Sequence, residues 1–435
     1  MPPRGRGISS RGSCHTQPHP ESSPMTLHSS PLGTDDAMVH PDAARAASAV
    51  GSLRLLSTLP FNKVEFWRRS VTSVEASARS SSSLLGRAWR RIGVPDASVI
   101  TRLWRLAPRA DAVLLNGGER ADLIYLALAG LTPWIRAPHV IVDAHWQPGE
   151  SRALRAMQRL ILRLGRRLLA DVQIHSPEEI SLYERNFGIP RQLLKPLPWS
   201  TSLQGYRVAR KAAQGDAVVT GGHSYRDYPT LLAAAAGQPW KLRIGLPASP
   251  VTARVREVAA GLPNVEVVSD WTFEQYWQEV ADSRAFAMPI VAGLQRCTAD
   301  QTILNAMALG TIVVATDALS SRLYIRHGQT GFLVPEGDPK AWRDALAHVH
   351  ALPAADAQRI RDAARREATT TFSEEERLLK TLERAALAVR ERSTSHRPGG
   401  QPEWLAGRLS ALRRSFARLA GIGGVGALGA SLLLE

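Results

Sequence analysis

Two stretches of this chain collect residue types suited to holding a phosphate. The first is TGGHSYRDY, Thr220–Tyr228. Gly221 and Gly222 let a ligand come close to the backbone, and His223 and Arg226 follow as cations. Arginine offers a rigid fork of donors that can grip two phosphate oxygens at once. The second is DQTILNAMALGTIVVATD, Asp300–Asp317. Small and polar residues (Thr298, Ala299, Gln301, Thr302) open a short helical pattern, Gly310 stops it, and an apolar β-branched run follows. The first turn of a helix has unpaired N–H groups and a partial positive charge, so a diphosphate can settle there. Neither stretch has the GxGxxG spacing, which counts against a nicotinamide dinucleotide, nor GxxxxGK[ST], which excludes a P-loop.

Such loops act only where a scaffold delivers them. From Val50 onward short apolar runs alternate with helical patterns. Strands are expected at Ser52–Pro60, Asp111–Asn116, His139–His145, Asp171–Ser176 and Leu193–Trp199. A Ser/Arg-rich stretch up to about Ala97 has weak periodicity and no assigned element. In the second half AVVTGG, WKLRIGL, NVEVVS, AFAMPI, TIVVAT and GFLVP read as strands separated by helices. This alternation predicts βαβ units on parallel sheets. The expected division is a leader at 1–48, an N-terminal Rossmann-like domain at 49–204, a C-terminal one at 205–393, and a linker and tail at 394–435. Two such α/β domains, doubly wound, face each other across a cleft, and the cleft is the expected ligand site.

Composition narrows the chemistry. The chain has 435 residues, 44% apolar, with a formal net charge of +15 carried mostly by arginine. Such a charge suits phosphate-bearing partners, but no RNA-module or zinc-finger pattern is present, so no nucleic-acid partner is expected. The two cysteines, Cys14 and Cys297, stand far apart, which supports neither a disulfide framework nor a zinc site. No metal site is expected, and a reducing compartment fits. The first 48 residues lack an apolar core of a secretory signal, and Met25 or Met38 is an alternative start.

Three motifs in order carry a resemblance. GGHSYRDYPTLLAA, QTILNAMALGTIVVATD and GQTGFLVPEGDPKAWRDAL, within Asp216–Ala386, resemble the donor-binding lobe of GT-B glycosyltransferases, in particular the retaining family 4 group. DAHWQP and IHSPEEISLYERNFGIP match the first lobe more loosely. The resemblance implies a glycosyltransferase that takes its sugar from a nucleotide-diphosphate sugar, a co-substrate, with no further cofactor and no metal. It places an arginine near the donor diphosphate, at Arg226. It also implies a donor-facing histidine at a strand end, His145, which Asp143 could orient. Glu119 and Glu150, at helix starts, are alternative bases. Gly221, Gly222, His223 and Arg226, with Gln301 and Thr302, would hold the diphosphate, and Asn305 the ribose. The chain departs from the family at the two glutamates that bracket this loop and helix, where Cys297 and Asn305 stand. The family lysine after the arginine is missing too, since Pro229–Leu232 carry no positive charge. These departures leave retention or inversion open. They motivate a second reading, a catalytically silent GT-B protein that binds nucleotide sugars or acts as a scaffold.

The acceptor is expected to be a glycan or a lipid-linked one, as in cell-surface glycan or exopolysaccharide synthesis. Ser151–Ala170 is amphipathic, with Arg152, Arg155, Arg159, Arg163 and Arg166 on one side and Leu154, Met157, Ile161, Leu164 and Leu168 opposite. The tail from Glu403 is basic and amphipathic, then free of charge from Leu419 to Leu434. That run falls short of the roughly 20 residues that span a bilayer. The expected location is the cytoplasm, with peripheral contact to an anionic inner membrane face.

Overall fold

The computed structural model describes residues 50–61, 64–75, 97–203, 206, 208 and 215–395. The expected leader and the basic tail lie outside the described residues. The first lobe holds strands β1 (Leu55–Ser57), β2 (Val71–Ser73), β3 (Ala112–Asn116), β4 (His139–Val142), β5 (Leu169–Ile174) and β6 (Leu194–Pro196). They form one sheet in the order β2-β1-β3-β4-β5-β6, every pair parallel. Its helices are α1 (Glu65–Ser70), α2 (Ser98–Leu106), α3 (Arg120–Gly130), α4 (Arg152–Gly165) and α5 (Glu179–Phe187). The edge pair α1 and β2 falls in the stretch where the sequence shows no clear period.

The second lobe holds β7 (Val218–Gly221), β8 (Leu242–Gly245), β9 (Val265–Val268), β10 (Ala285–Met288), β11 (Val313–Thr316) and β12 (Gly331–Val334). Their order is β12-β11-β10-β7-β8-β9, again all parallel. Helices α6 (Tyr228–Ala235), α7 (Pro250–Ala259), α8 (Phe273–Asp282), α9 (Asp300–Ala308), α10 (Leu319–Tyr324), α11 (Pro339–Ala351) and α12 (Ala354–Thr370) flank it. Strands such as Val313–Thr316 are buried at every residue, as expected of parallel strands covered on both faces. This is why they read as continuous apolar runs rather than alternating ones.

The last of the described helices, α13 (Glu374–Ser395), returns to the first lobe. Its Leu378, Leu379, Leu382, Ala385 and Ala388 pack with Leu55, Trp67, Leu114, Val140 and Val142. The division drawn at 393 does not contain this return. Where the chain crosses outward at Thr201 it meets the returning segment between α12 and α13, and Thr201 N–H donates to Phe372 O at 3.0 Å.

In the second sheet the strand order reverses between β7 and β10, and a switch point of this kind opens a crevice beyond the strand ends. Both phosphate-suited stretches begin there, one after Gly221 and the other after Met288.

Candidate active site

Three non-glycine residues have a left-handed backbone among the described residues: Asp143 (φ 59°), Tyr225 (φ 57°) and Ala299 (φ 67°). Each follows the C-terminal end of a strand, β4, β7 or β10, on the side where the lobes meet. Such conformations cost about 1–2 kcal/mol each outside glycine, and they persist where the surroundings hold them.

On the second lobe, Gly222 turns the chain after β7 with φ 89°. Arg226 braces this loop from below: Nε donates to Gly221 O at 3.3 Å and Nη1 to Ser224 O at 2.7 Å. A Cβ on Gly222 would lie 2.9 Å from Arg226 Nη2, and one on Gly221 would lie 2.5 Å from Tyr276 Oη. Gly221 is required by close packing, against Tyr276 and the backbone oxygen of Gly245, and Gly222 by its left-handed backbone. Tyr228 Oη donates to Gly222 O, and Asp227 caps α6 through Thr230 N–H. Burial lowers the Arg226 pKa, but the guanidinium remains the cation of this loop. His223 is exposed beside Gly222.

On the first lobe, Asn116-Gly117-Gly118-Glu119 follows β3 and runs under His145. A Cβ on Gly118 would lie 2.7 Å from the His145 ring. The His145 Nδ1–H donates to the backbone oxygen of Asp143 at 2.7 Å, and this tautomer leaves Nε2 as an acceptor. Burial pushes the His145 pKa down to about 3, helped by the positive Arg296 and His175. The ring is thus neutral at physiological pH. Nuclear magnetic resonance should show no titration of the His145 ring between pH 8 and 5. The sign for stability follows: the unfolded ring takes a proton below about pH 6.5 and the folded one refuses it, so stability falls on acidification. His145→Asn should remove this part of the acid sensitivity, on the order of 1–2 kcal/mol by pH 5.

Asp143 orients His145, but through its main chain. The expected carboxylate–imidazole pair does not form, because the αL turn at Asp143 sends the side chain inward. There it pairs with Arg377 of α13 and lies 3.8 Å from His175 Nε2. Glu119 and Glu150 are both exposed, before α3 and α4 respectively.

The start of α9 also differs from expectation. Asp300 places a buried carboxylate there, accepting from Tyr324 Oη at 2.8 Å and lying 3.5 Å from His175 Nδ1. Burial alone would raise its pKa; His175, Tyr324 and its own backbone reverse this, and the net shift is downward. The helix end therefore has an anion of its own, while Gln301 is exposed and Thr302 half-buried.

Asn305 is 3% exposed and spends its amide on the inter-lobe linker. Its Oδ1 accepts from Thr201 Oγ1 and from Ser202 N–H, both at 2.9 Å, and its Nδ2 donates to Ser202 Oγ at 3.0 Å. In this arrangement it is a linker clamp and offers nothing to a ribose. Asn305→Ala should cost about 1–3 kcal/mol in a thermal melt, the penalty of stranding buried partners. Nucleotide affinity should move by less than about threefold; a larger loss would restore the ribose role.

Arg296, not singled out by sequence reasoning, joins the two sides. Its Nη1 donates to His145 O, Nε donates to Cys297 O at 3.2 Å, and its guanidinium lies 4.9 Å from the Tyr225 ring centroid. One arginine thus touches the histidine strand end and the glycine loop. It is the one fixed cation in the loop VAGLQRCTADQ, and that was the available signal. Cys297 itself is buried, its N–H held at 2.6 Å by Glu179 Oε1 of the first lobe, and burial raises its thiol pKa. It replaces a carboxylate neither in charge nor in position toward the cleft.

Two doubly wound lobes with a switch-point crevice and a helix after the second lobe that returns to the first define the GT-B fold of glycosyltransferases. Residues 226–351, the core of the second lobe, match the family described as glycosyl transferases group 1. Solved structures agree over both lobes. A glycosyltransferase from Rickettsia africae is 16% identical, with a TM-score of 0.54 over 80% of this chain and 93% of that one. Anabaena HepE, solved in complex with UDP and glucose, is 14% identical, with a TM-score of 0.56 over 81% and 96%. Sucrose-phosphate synthase from Thermosynechococcus elongatus is 15% identical, with a TM-score of 0.53 over 81% and 92%. No curated protein sequence matches the chain.

Proposed function

We propose that the protein transfers a sugar from a nucleotide-diphosphate sugar to a glycan or lipid-linked acceptor. The observation that carries this reading is the pair of guanidiniums at the switch point, Arg226 beneath the glycine loop and Arg296 bridging that loop to His145. Departure of a nucleoside diphosphate develops negative charge, and donors fixed in place stabilise it without reorganising. The reading gives that task to the two arginines and needs no metal. Neutral His145 faces the sugar as an acceptor of hydrogen bonds.

Calorimetry with UDP, GDP and ADP and their sugar conjugates, followed by assay of sugar release, tests it. Micromolar binding with release on addition of an acceptor is the expected result; no binding by any nucleotide would sink it. The silent alternative has a specific observation in its favour, since Cys297 and Asn305 are both buried and committed elsewhere. Binding with no turnover across an acceptor screen would favour it.

The membrane reading rests on α4. Arg152 and Arg163 are exposed there, as is Arg166 just past its end, and Leu160 is 53% exposed, while Arg155 and Arg159 are spent on backbone oxygens. Among the described residues no helix is long and apolar enough to cross a membrane. Sedimentation with phosphatidylglycerol vesicles at low salt, reversed by salt, is expected; a fully soluble protein would overturn this part.

A further inference from the structure

His175 follows β5 and lies buried between two carboxylates from opposite lobes. Its Nε2 is 3.8 Å from Asp143 Oδ1 of the first lobe, and its Nδ1 is 3.5 Å from Asp300 Oδ1 of the second. Among the described residues neither ring nitrogen has a hydrogen-bond partner. We propose that His175 is a positioning residue: as an imidazolium it holds the start of α9 against the His145 strand end, and as a neutral ring it lets the two lobes part. Its bearing on sugar transfer rests on the nucleotide-sugar reading above; the register of the lobes does not.

A neutral imidazole carries one N–H and an imidazolium two. With a carboxylate on either side, a neutral ring must turn a lone pair toward one of them. Charge points the same way. Asp143 and Asp300 are two buried anions with one permanent cation in contact, Arg377 of α13, which pairs with Asp143. A second positive charge balances the group, and buried charges need such partners. Farther out, Glu179 of α5 and Arg296 of the loop before α9 add one charge of each sign, while Tyr324, Cys297 and His145 stay neutral. Burial alone would lower the His175 pKa; Asp300 and then Glu179 reverse this against Arg296, and the net shift is upward. The ring is also fixed in place. The His175 backbone N–H donates to Glu179 Oε2 at 2.9 Å, and its ring centroid lies 5.2 Å from that of Trp199. On one side Asp143 accepts from His145 through its backbone oxygen, and on the other Asp300 begins α9. Glu179 and Arg296 cross the same boundary, to Cys297 N–H and His145 O. Parting the lobes takes Asp300 away from the ring, whose pKa then falls back toward about 6.5. Contact between the lobes therefore takes up a proton. It is fully supported below about pH 6.5 and weakens by up to about tenfold per pH unit until the pH passes the raised value.

The test follows the distance between the lobes in the full chain by energy transfer from about pH 5.5 to 9. Dyes go on two exposed positions, Arg163→Cys of α4 and Lys340→Cys of α11, in a Cys14→Ser background. Labelling is done at about pH 6.5, with Cys297 buried. Carbon-13 labelled histidine reports the His175 ring by magnetic resonance. Expected is a ratio of closed to open molecules that falls at least about threefold between pH 6.5 and 8, with His175 titrating over the same range. His175→Gln, which has no charge at any pH, should abolish this dependence, and Asp300→Asn should lower the His175 pKa. A merely structural histidine would shift the melting temperature and leave the profile alone. The proposal falls if energy transfer in the parent chain is flat, if its pH dependence survives in His175→Gln, or if the ring is still neutral at about pH 5.5. Where neither variant folds, the energy transfer and ring titration of the parent chain decide it. UDP is added last, at about pH 6.5 and 8.5. Weaker binding at the higher pH in the parent alone ties the register to the donor site. No binding at either pH would overturn the nucleotide reading and leave the distance measurement to judge His175.

Discussion

Arg226→Ala should weaken binding of the nucleoside diphosphate by roughly 30-fold or more, the usual cost of truncating one partner of a desolvated charge contact, about 2–5 kcal/mol. The effect has two sources. The guanidinium is the cation nearest the glycine turn, and it also holds that turn through Gly221 O and Ser224 O. Arg226→Lys should recover little, because an ammonium keeps the charge but cannot hold two carbonyls and still reach a phosphate. Titration of each folded variant with the diphosphate that the wild type binds is the measurement. Affinity within threefold of wild type in Arg226→Ala would remove this loop from the donor site.

Asp143→Ala should destabilise the protein by about 3–5 kcal/mol, the cost of leaving a buried ion without its partner. Arg377 is 4% exposed, pairs with Asp143, and stacks 4.3 Å from the Trp199 ring centroid. Burial lowers its pKa to about 9, so at neutral pH it keeps its proton and needs a counter-charge. Asp143→Asn separates the causes. Asparagine tolerates the left-handed backbone, so this variant loses the charge without the added cost of alanine at φ 59°. The double variant Asp143→Asn with Arg377→Met should regain much of the loss, since an apolar pair replaces a buried ion pair well. Thermal and denaturant melts decide it; a shift below about 1 kcal/mol in Asp143→Ala would show that the pair contributes little. A catalytic carboxylate would behave differently, with activity lost and stability kept.

The fold was legible because its strands are short and wholly apolar, and because Pro, Asp and Gly punctuate the helices. Gly310 and the run Thr311–Thr316 announce a helix stop and a buried strand without any structure. The α1–β2 edge was not legible, since three residues of strand have no measurable period. The return of α13 was hidden for another reason: an amphipathic pattern says that Leu378 and Leu382 are buried, not against which sheet. Site residues divided along similar lines. Arg226 and the glycines were placed at a strand end by their position between an apolar run and a helical pattern. Asp143 and Asn305 were chosen for their side-chain chemistry, and that chemistry is used, but by Arg377 and by the linker. A side chain's type names what it can bind; only the backbone angle at Asp143 and the path of Thr201–Ser202 decide what it meets. Arg296 was missed because its role needs two lobes at once.

The return of α13 also bears on how the chain folds as it is made. Domains made by the ribosome usually complete in order from the N-terminus. Here the sheet that emerges first has part of its cover, Leu378 to Ala388, in α13, the last of the described helices. The second lobe, with its strands and helices between residues 215 and 372, is whole before the first lobe is. Until synthesis reaches α13, the face formed by Leu55, Leu114 and Val140 lacks its partner, and Asp143 lacks Arg377. The nascent first lobe is therefore the species that a chaperone would hold, and release of α13 is the step that closes it.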